Sequence, residues 1–579
     1  MKRIWFPLLL VWLVFSTRAD VAVLTEHNNL SHTGANLAET VLNTANVNTN
    51  SFGLLYTRPV NDQIYAQPLI MTNVDIPGKG VRNIVILATA DNTVYAYDAD
   101  DASVTEPYWT NSFNHAPNIV SPNREDMSAI GACGGNYHDF SGNCGIAATP
   151  VIDPVSGTIY VANRTKEFGT NFVQRLHALD IRTGKERPNS PVIITATYPG
   201  TGAGSKNGVI TFDPVRQNQR TALVIVKGIV YITWSSFCDL SPYHGWIIGY
   251  DAATLKQAVV FNDSPTGDQA GLWMSGEGIS ADDDGNLYLS TGNGSVGVNG
   301  NPRDPINRGE SFLKLKRNGA TLEVASWFTP GNYRELERGD VDLGSSGFTL
   351  IPGTTLAFSG GKEGVGYLVD RDNMGGLTYA DTDTNCLQVL RLSSDQMHGG
   401  MVWWDCPSGS FGYTWPASAN LQQYKFDRAT NRFVLPAFAK SPKPAPRGQP
   451  GGMLAISADG AKAGSGILWA IHQLVGDANH TVQPGFLHAF DAQNVSRELW
   501  NSEQIPSRDH VVSFAKFVPP TVANGKVYLA TFSGQLDVYG LASGWVAAPT
   551  ISPAGGAFTN GVTVRLGDTT PGALIYYTT

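Results

Sequence analysis

The chain has 579 residues, of which 15% are charged, and a formal net charge of -9. It is too long for one small domain and long enough for a large core. Because the charge is mildly negative and no basic block occurs, composition gives no electrostatic reason to bind nucleic acid. The 62 glycines and 33 prolines are scattered, which is typical of a chain with many turns.

The first residues have the pattern of a signal peptide. A basic start is followed by an apolar run over residues 4–15, and Ala19 is a small residue at the position of a cleavage site. The pattern predicts removal of residues 1–19 and a mature chain that starts at Asp20 in the periplasm or outside the cell. A short membrane anchor is the alternative, but no later segment is apolar enough to span a bilayer, so we expect no membrane attachment after cleavage.

Five cysteines predict disulfides in an exported chain. None of them lies in a haem motif or a paired zinc pattern. Cys133 and Cys144 bracket a glycine-rich stretch, and Cys386 and Cys406 flank another irregular stretch. We therefore expect two local disulfides, Cys133–Cys144 and Cys386–Cys406, with Cys238 left free, although spacing does not fix connectivity.

A short motif recurs along the chain: apolar and other residues alternate, an Asp often follows, and a turn begins. The copies are VYAYDAD (94–100), LHALDIRTG (176–184), IIGYDAATL (247–255), FLKLKRNG (312–319), YLVDRDN (367–373), QYKFDRAT (423–430), LHAFDAQN (487–494) and LDVYGLAS (536–543). The alternation predicts a strand, and the Asp predicts a turn in which its carboxylate accepts hydrogen bonds from nearby N–H groups. A strand rich in Val, Ile, Leu and Tyr precedes each copy, and further strands flank several, so each unit is predicted to be a four-stranded antiparallel meander.

The repeats predict an all-β chain. They recur at intervals of roughly 50 to 80 residues, which fits propeller blades with variable loops, and no helical pattern alternates with the strands. We predict an eight-bladed β-propeller of four-stranded antiparallel blades over residues 52–541, after an N-terminal extension at residues 20–51. The last unit has three strands, so residues 54–60 are predicted to pair beside residues 536–539 and close the ring.

Several segments carry a resemblance to known families. TPVIDPVSGTIYVA, LHALDIRTGKE and VANGKVYLATFSGQLDVYGL resemble the pyrroloquinoline-quinone (PQQ)-like repeat propellers over about residues 52–541. The chain is most similar to a secreted bacterial branch, through segments such as GWIIGYDAATL and GGKEGVGYLVDRDNMG, and less similar to the quinoprotein alcohol dehydrogenases. Residues 548–579 resemble the front of the chitobiase/β-hexosaminidase C-terminal type module, an Ig-like fold, and predict a partial β-sandwich tail.

The resemblance implies a candidate cofactor site. In quinoprotein dehydrogenases the quinone lies on the ring axis, stacks on a Trp, contacts a Lys or Arg and binds calcium held by carboxylate and Asn oxygens. Similar segments in this chain carry Trp273, Asn293 and Lys362. Glu310 lies near the sequence position at which those enzymes have their general base. Each of the three also suits a structural role: Trp273 in blade packing, Asn293 in a turn and Lys362 beside a tight turn.

The chain also departs from those enzymes. It has neither the two adjacent cysteines that clamp the other face of the quinone nor a haem motif. The isolated His398 and His244 suit loop histidines with hydrogen-bond partners better than ligands. These departures favour a non-catalytic, monomeric secreted scaffold without a cofactor, which binds a protein or a glycan. The alternative is a PQQ- and calcium-dependent oxidoreductase acting on alcohols or sugars.

Overall fold

A computed structural model describes residues 20–378, 383–542, 550–553 and 562–567. Within these residues the chain is all-β, and its main sheets form eight propeller blades, so the predicted fold class is confirmed. The predicted signal peptide at residues 1–19 lies outside the described residues, as does most of the predicted tail at 548–579. No described helix is long and apolar enough to cross a membrane.

The blades are numbered here in chain order, and each is an antiparallel sheet. From the first strand to the fourth they are Leu69–Ile76, Gly80–Ala88, Thr93–Asp98 and Trp109–Ser112 (blade 1); Val151–Asp153, Thr158–Glu167, Asn171–Asp180 and Val192–Ile193 (blade 2); Val224–Val226, Ile229–Ser236, Trp246–Asp251 and Gln257–Asn262 (blade 3); Ser280–Ala281, Leu287–Ser290, Phe312–Asn318 and Thr321–Phe328 (blade 4); Thr349–Leu350, Leu356–Gly360, Val365–Asp370 and Gln388–Arg391 (blade 5); Val402–Cys406, Gly409–Thr414, Asn420–Asp427 and Arg432–Phe433 (blade 6); Met453–Ser457, Ile467–Gln473, Gly485–Asp491 and Glu498–Asn501 (blade 7); and Thr521–Ala523, Lys526–Ala530, Gln535–Leu541 and Phe52–Pro59 (blade 8).

Short elements decorate the ring. Added strands are Ala35–Asn36, Ile119–Val120, Gln217–Asn218 and Ala439–Pro444, and two separate hairpins pair Thr197–Pro199 with Val209–Thr211 and Thr550–Ser552 with Arg565–Gly567. The described α-helices are Arg124–Ala129, Tyr333–Gly339 and Pro506–Asp509, and the 3-10 turns are Ala132–Gly135, Met274–Gly276 and Leu343–Ser345.

The eight motif copies form the third strands of the blades, as the alternation predicts. The Asp at the end of six of these strands accepts a hydrogen bond from a backbone N–H two or three residues later. These residues are Asp98, Asp180, Asp251, Asp370, Asp427 and Asp491. The carboxylate satisfies turn donors that have no partner in the sheet, so these aspartates have the predicted structural role.

The ring closes between the two ends of the propeller sequence. Phe52–Pro59 pairs with Gln535–Leu541, with Leu54 opposite Tyr539, as predicted. Phe52 is fully buried, and its ring lies 5.2 Å from that of Trp469 and 5.0 Å from that of Trp500 in blade 7. The closing strand is therefore fixed by apolar packing between blades as well as by backbone hydrogen bonds.

The N-terminal extension runs around the inside of the ring. Between Val23 and Asn36 it bonds in turn to first strands or their flanking residues: Val23 to Ile70 (blade 1), Leu24 to Ile152 (blade 2), Leu30 to Ala281 (blade 4), Ser31 to Leu350 (blade 5), Thr33 to Trp403 (blade 6), Gly34 to Ile456 (blade 7) and Asn36 to Val522 (blade 8). Leu30 also packs on the apolar cluster that includes blade 3. This segment therefore fills part of the axis and fixes the first strands around it.

Candidate functional site

A cavity of about 250 Å³ lies on the ring axis. Much of its wall comes from residues a few positions before the first strands of the blades: Arg220 for blade 3, Ser275 for blade 4, Ser345 for blade 5, His398 for blade 6, Gln449 for blade 7 and Phe517 for blade 8. Because six blades contribute, the cavity lies at the centre of the ring, where a propeller brings separate blades to one site.

The indole of Trp273 lines this cavity. Trp273 stands directly before the 3-10 turn Met274–Gly276, and two close approaches define its place: a Cβ added at Gly271 would lie 3.0 Å from Trp273 Nε1, and one at Gly292 would lie 2.9 Å from Trp273 Cδ1. Trp273 Nε1 is buried and has no hydrogen-bond partner among the described residues. A buried indole N–H usually finds a partner, and this one lies against Gly271, while another part of the ring lines the cavity.

A disulfide lines the same cavity, and it corrects the predicted pairing. Cys133 and Cys238 are joined, with their Cα atoms 5.3 Å apart and a sequence separation of 105. The predicted pairs Cys133–Cys144 and Cys386–Cys406 are wrong, since Cys144, Cys386 and Cys406 form no disulfide within the described residues.

The position of the two bonded cysteines explains the error. Cys133 lies in the long connection between blades 1 and 2, and Cys238 lies between the second and third strands of blade 3. Both segments reach the axis, whereas Cys144 is buried in an apolar cluster with Tyr137 and Phe237. The ring brings distant loops together, which local spacing cannot show.

Three carboxylates and one lysine form an acidic side of the cavity. Lys362 Nζ lies 2.5 Å from Asp342 Oδ2 and 3.2 Å from Asp340 Oδ1. Burial alone lowers the pKa of Lys362, but the two aspartates raise it above its ordinary value, so this lysine stays charged. Burial, with the negative charges of Asp342 and Asp340, raises the pKa of Asp239 to about 7. One lysine thus balances only part of the negative charge, and this side favours a further cation.

Asn293 and Glu310 lie behind the acidic side. The backbone N–H of Asn293 donates to Asp342 Oδ1 at 3.0 Å, and its Nδ2 donates to Asp340 Oδ1 at 2.9 Å. Asn293 Oδ1 is buried and has no hydrogen-bond partner in the described part of the chain. Glu310 accepts a hydrogen bond from the Leu343 N–H at 2.7 Å and does not belong to the cavity wall. Burial, then the charge of Asp342, raises the pKa of Glu310 well above its ordinary value.

Other parts of the wall carry basic groups. The guanidinium of Arg220 lies over the Phe517 ring, 4.1 Å from its centroid. Burial lowers the pKa of Lys516 to about 7, and its Nζ donates to the Asn479 carbonyl. His398 is buried, and burial followed by the charges of Lys362 and Arg220 lowers its pKa well below the ordinary value. His398 is therefore uncharged, and Arg220, together with Lys516 when it is protonated, gives this part of the cavity an affinity for anions.

The two histidines singled out by sequence differ in the structure. His244 has partners on both ring nitrogens, Ser264 Oγ at 2.8 Å and the Ala203 carbonyl at 2.9 Å, as expected for a structural histidine. His398 lines the cavity, and its Nδ1 is buried with no partner among the described residues. The expectation is confirmed for His244 and stays a prediction for His398, whose place at the axial cavity cannot be seen in the motif around it.

Unusual backbone angles cluster at the cavity. Six of its lining residues are not glycine and have positive φ: Cys133, Cys238, Asp239, Ser275, Asp340 and Phe517. Such angles cost of order 1–3 kcal/mol each and persist only where the surrounding structure holds them. Residues held in this way at one cavity point to a site whose geometry matters for function.

The structure thus brings Trp273 and Lys362 to one cavity, places Asn293 behind its acidic side in contact with Asp340 and Asp342, and leaves Glu310 behind the wall as well. Sequence analysis missed the aspartates. Asp340 and Asp342 form a D-V-D pair that follows the helix Tyr333–Gly339, and Asp239 directly follows Cys238. The sequence did contain a signal for them: two aspartates separated by one residue precede the segment that carries Lys362.

Comparison of the sequence with models of known families and with curated proteins finds no match. The structure is similar to that of quinohemoprotein alcohol dehydrogenase from Comamonas testosteroni, with 14% identity, a TM-score of 0.52, and coverage of 95% of this chain and 84% of that chain. It is also similar to a europium-containing methanol dehydrogenase, with 12% identity, a TM-score of 0.50, and coverage of 90% and 98%. At such identity the likeness concerns the fold alone, and function has to be argued from the site.

Proposed function

We propose that this protein is a PQQ- and calcium-dependent oxidoreductase that acts on alcohols or sugars, and that the axial cavity holds its cofactor. The observation that carries the proposal is the convergence of Trp273, a disulfide, Lys362 and four aspartates on one cavity. A non-catalytic scaffold, which the sequence alone favours, needs only a packed or water-filled axis. It gives no reason for these groups to meet there.

The acidic side fits calcium. Calcium takes carboxylate and amide oxygens as ligands, and Asp239, Asp340 and Asn293 supply them in or next to the cavity wall. The Asn293 Oδ1 has no partner in the described residues, which is what a metal-binding amide oxygen requires. The negative charge of the aspartates, which Lys362 balances only in part, also favours a bound calcium ion.

The remaining wall fits a flat, polyanionic quinone. Trp273 offers an aromatic face, and Arg220 and Lys516 offer positive charge for the carboxylates of PQQ. The cavity of about 250 Å³ is close to the lower end of the roughly 300–1,000 Å³ usual for ligand pockets. The absence of adjacent cysteines, which argued against this function, matters less because Cys133–Cys238 places a disulfide in the wall by another route.

We assign Asp342, and not Glu310, as the residue that accepts the hydroxyl proton of the substrate. When bound, PQQ supplies the two-electron acceptor that an alcohol oxidation needs, and calcium polarises it. Asp342 lines the cavity, and Lys362 at Oδ2 and the Asn293 N–H at Oδ1 hold its carboxylate in one orientation, which a general base requires. Glu310 is bonded to Leu343 behind the wall and does not reach the cavity.

The experiment that tests this function is a titration of the purified protein with PQQ and calcium, followed by assays of alcohols and sugars with an artificial electron acceptor. We expect stoichiometric binding and turnover, both lost in Lys362→Ala. The matched control is Lys314→Ala, which removes a lysine paired with Asp372 at 2.9 Å outside the cavity and should leave both unchanged. Folded protein that binds no PQQ would refute the proposal and favour the scaffold.

We also propose that the protein is exported to the periplasm or beyond and acts as a monomer, and that residues 548–579 begin an Ig-like module. The signal-type pattern of residues 1–19 and the Cys133–Cys238 disulfide support export, since such bonds persist in oxidising compartments. Secreted protein is expected to begin at Asp20. N-terminal sequencing that returns Met1 would contradict export by cleavage.

A further inference from the structure

Deeper along the axis than the cavity lies a second polar cluster, formed by Glu26, His27, His32 and Glu277. Glu277 follows the cavity-lining Ser275 by two residues on the way to blade 4, and the other three belong to the N-terminal segment. All four are nearly inaccessible, with relative exposures of 2%, 4%, 0% and 3% in the order given. The cluster is therefore shielded from solvent and separate from the cavity wall.

The cluster holds more polar atoms than it satisfies. Both carboxylate oxygens of Glu26, both ring nitrogens of His32, His27 Nδ1 and Glu277 Oε2 have no hydrogen-bond partner among the described residues. Buried polar groups in native proteins are nearly always paired, and an unpaired one costs free energy comparable to a lost hydrogen bond. Because several unpaired polar atoms lie together here, we expect a bound ion or molecule to contact them.

We infer that Glu26, His27 and His32 bind one divalent first-row transition-metal ion of the zinc type, with Glu277 as the carboxylate partner of His27. One ligand atom from each of the three residues lies within 4.8 Å of the others. His27 Nε2 is 3.3 Å from Glu26 Oε1, and His32 Nδ1 is 3.8 Å from Glu26 Oε2. Ligand bonds of about 2.0–2.2 Å in tetrahedral geometry place neighbouring ligand atoms about 3.3–3.5 Å apart, so the three ligand atoms, now within 4.8 Å of one another, would draw together around an ion.

The other nitrogen of His27 faces the carboxylate that would accept a hydrogen bond from it once an ion fixes the ring. His27 Nδ1 lies 3.5 Å from Glu277 Oε2. Metal-bound histidines almost always direct their second nitrogen to a carboxylate or carbonyl, which fixes the ring. Glu277 Oε1 in turn accepts the Gly400 N–H at 2.6 Å, and Gly347 is essential to its place, because a Cβ there would lie 1.5 Å from Glu277 Oε2.

The backbone also holds the ligands in place. His27 and His32 both have left-handed φ, 49° and 53°, which a histidine adopts only at a cost unless it is held. The His27 N–H donates to Gln67 Oε1 at 3.1 Å, and the carbonyls on either side of His32 are bonded to blades 5 and 6. Contacts with the propeller thus hold the two imidazoles close to each other.

This site differs in chemistry from the one proposed in the cavity and does not depend on it. The cavity offers oxygen ligands, which suit calcium, whereas two imidazoles and a carboxylate select a transition metal. The ion would join the N-terminal segment to blade 4 through Glu277. We therefore expect it to stabilise the ring, and a failure to bind PQQ would leave this inference untouched.

The test uses the full secreted chain with any purification tag removed. Protein unfolded with a chelator is refolded with zinc or without metal, and zinc content and the melting temperature (Tm) are measured. One zinc per chain and a higher Tm with zinc are expected. X-ray absorption should give nitrogen and oxygen ligands only, including two imidazoles, which excludes a thiolate site at a free cysteine.

Variants identify the ligands. Glu26→Gln and His32→Gln should abolish stoichiometric zinc and the zinc-dependent Tm shift, and Glu277→Gln should weaken binding about 10- to 100-fold. The control is His472→Gln: His472 is equally buried in a histidine pair with His488, but both of its ring nitrogens have partners, so zinc should be retained. Folded wild-type protein without zinc, or binding kept in both ligand variants, would overturn the inference. If a variant fails to fold, the absorption spectrum of the wild type decides.

Discussion

Removal of the Cys133–Cys238 disulfide should destabilise the protein strongly. The bond closes a loop of 105 residues, and loop-closure entropy gives about 4.7 kcal/mol for a loop of ~100 residues. This is an upper value, since residual structure in the unfolded chain reduces it. The loop contains all of blade 2 and the first two strands of blade 3. Loss of the disulfide therefore loosens a large part of the propeller.

The assay is urea unfolding of the Cys133→Ser/Cys238→Ser double variant, followed by tryptophan fluorescence. We expect a clear fall in the midpoint and, because the disulfide lines the cavity, weaker PQQ binding. The control is Cys386→Ser/Cys406→Ser, which changes two unbonded, partly exposed cysteines and should shift the midpoint little.

Two results would refute this reasoning. Peptide mapping of the wild type by mass spectrometry should recover a Cys133–Cys238 peptide. Recovery of Cys133 bonded to Cys144 would show that the loops do not meet on the axis. An unchanged midpoint in the double variant, with the bond present in the wild type, would show that the 105-residue loop is restrained by other contacts.

Four further predictions concern closure and the cavity. Phe52→Ala should cost about 3–5 kcal/mol in urea unfolding, since the ring is fully buried between blades, and a loss below 1 kcal/mol, well under that range, would contradict closure by packing. Calcium binding should tighten as pH rises through about 7, because Asp239 loses its proton there, and Asp239→Asn should remove this dependence in calorimetric titrations. With calcium saturating, PQQ binding should weaken over the same range as buried Lys516 loses its charge, and an identical profile in Lys516→Met would disprove that role. Asp342→Asn should keep PQQ binding but abolish turnover, and a variant that still turns over would exclude it as the proton acceptor.

The propeller could be predicted from sequence because its signals are local. Alternation within a strand recurs in all eight units, and an Asp ends six of these strands. Asp98 and Asp491 make the same turn contact although they lie in blades 1 and 7. Closure was also predictable, since a three-stranded last unit and an unpaired first strand imply each other. The blades needed only the residues of one unit and their repetition, and closure needed only the two end segments, residues 54–60 and 536–539.

The candidate site was predictable only in part, because it is built from contacts between units. Trp273 and Lys362 were found through similar segments, and both reach the cavity. Cys238 was expected to be free, and Asp342 was not considered, because nothing in their neighbourhood shows that their loops meet on the axis. The N-terminal segment carries no periodicity, so its path around the ring depends on the blades it touches.

That path has a consequence for how the ring unfolds. In repeat proteins whose units touch only their neighbours, stability is a sum of local terms, and the ends can come apart while the middle persists. Here residues 23–36 bond to seven of the eight blades, and Phe52–Pro59 joins the first part of the sequence to the last. Disruption of one of these blades therefore removes a contact that holds residues 23–36, and the other six blades depend on the same segment. The ring is expected to unfold as one cooperative unit, with no stable arc of blades left behind.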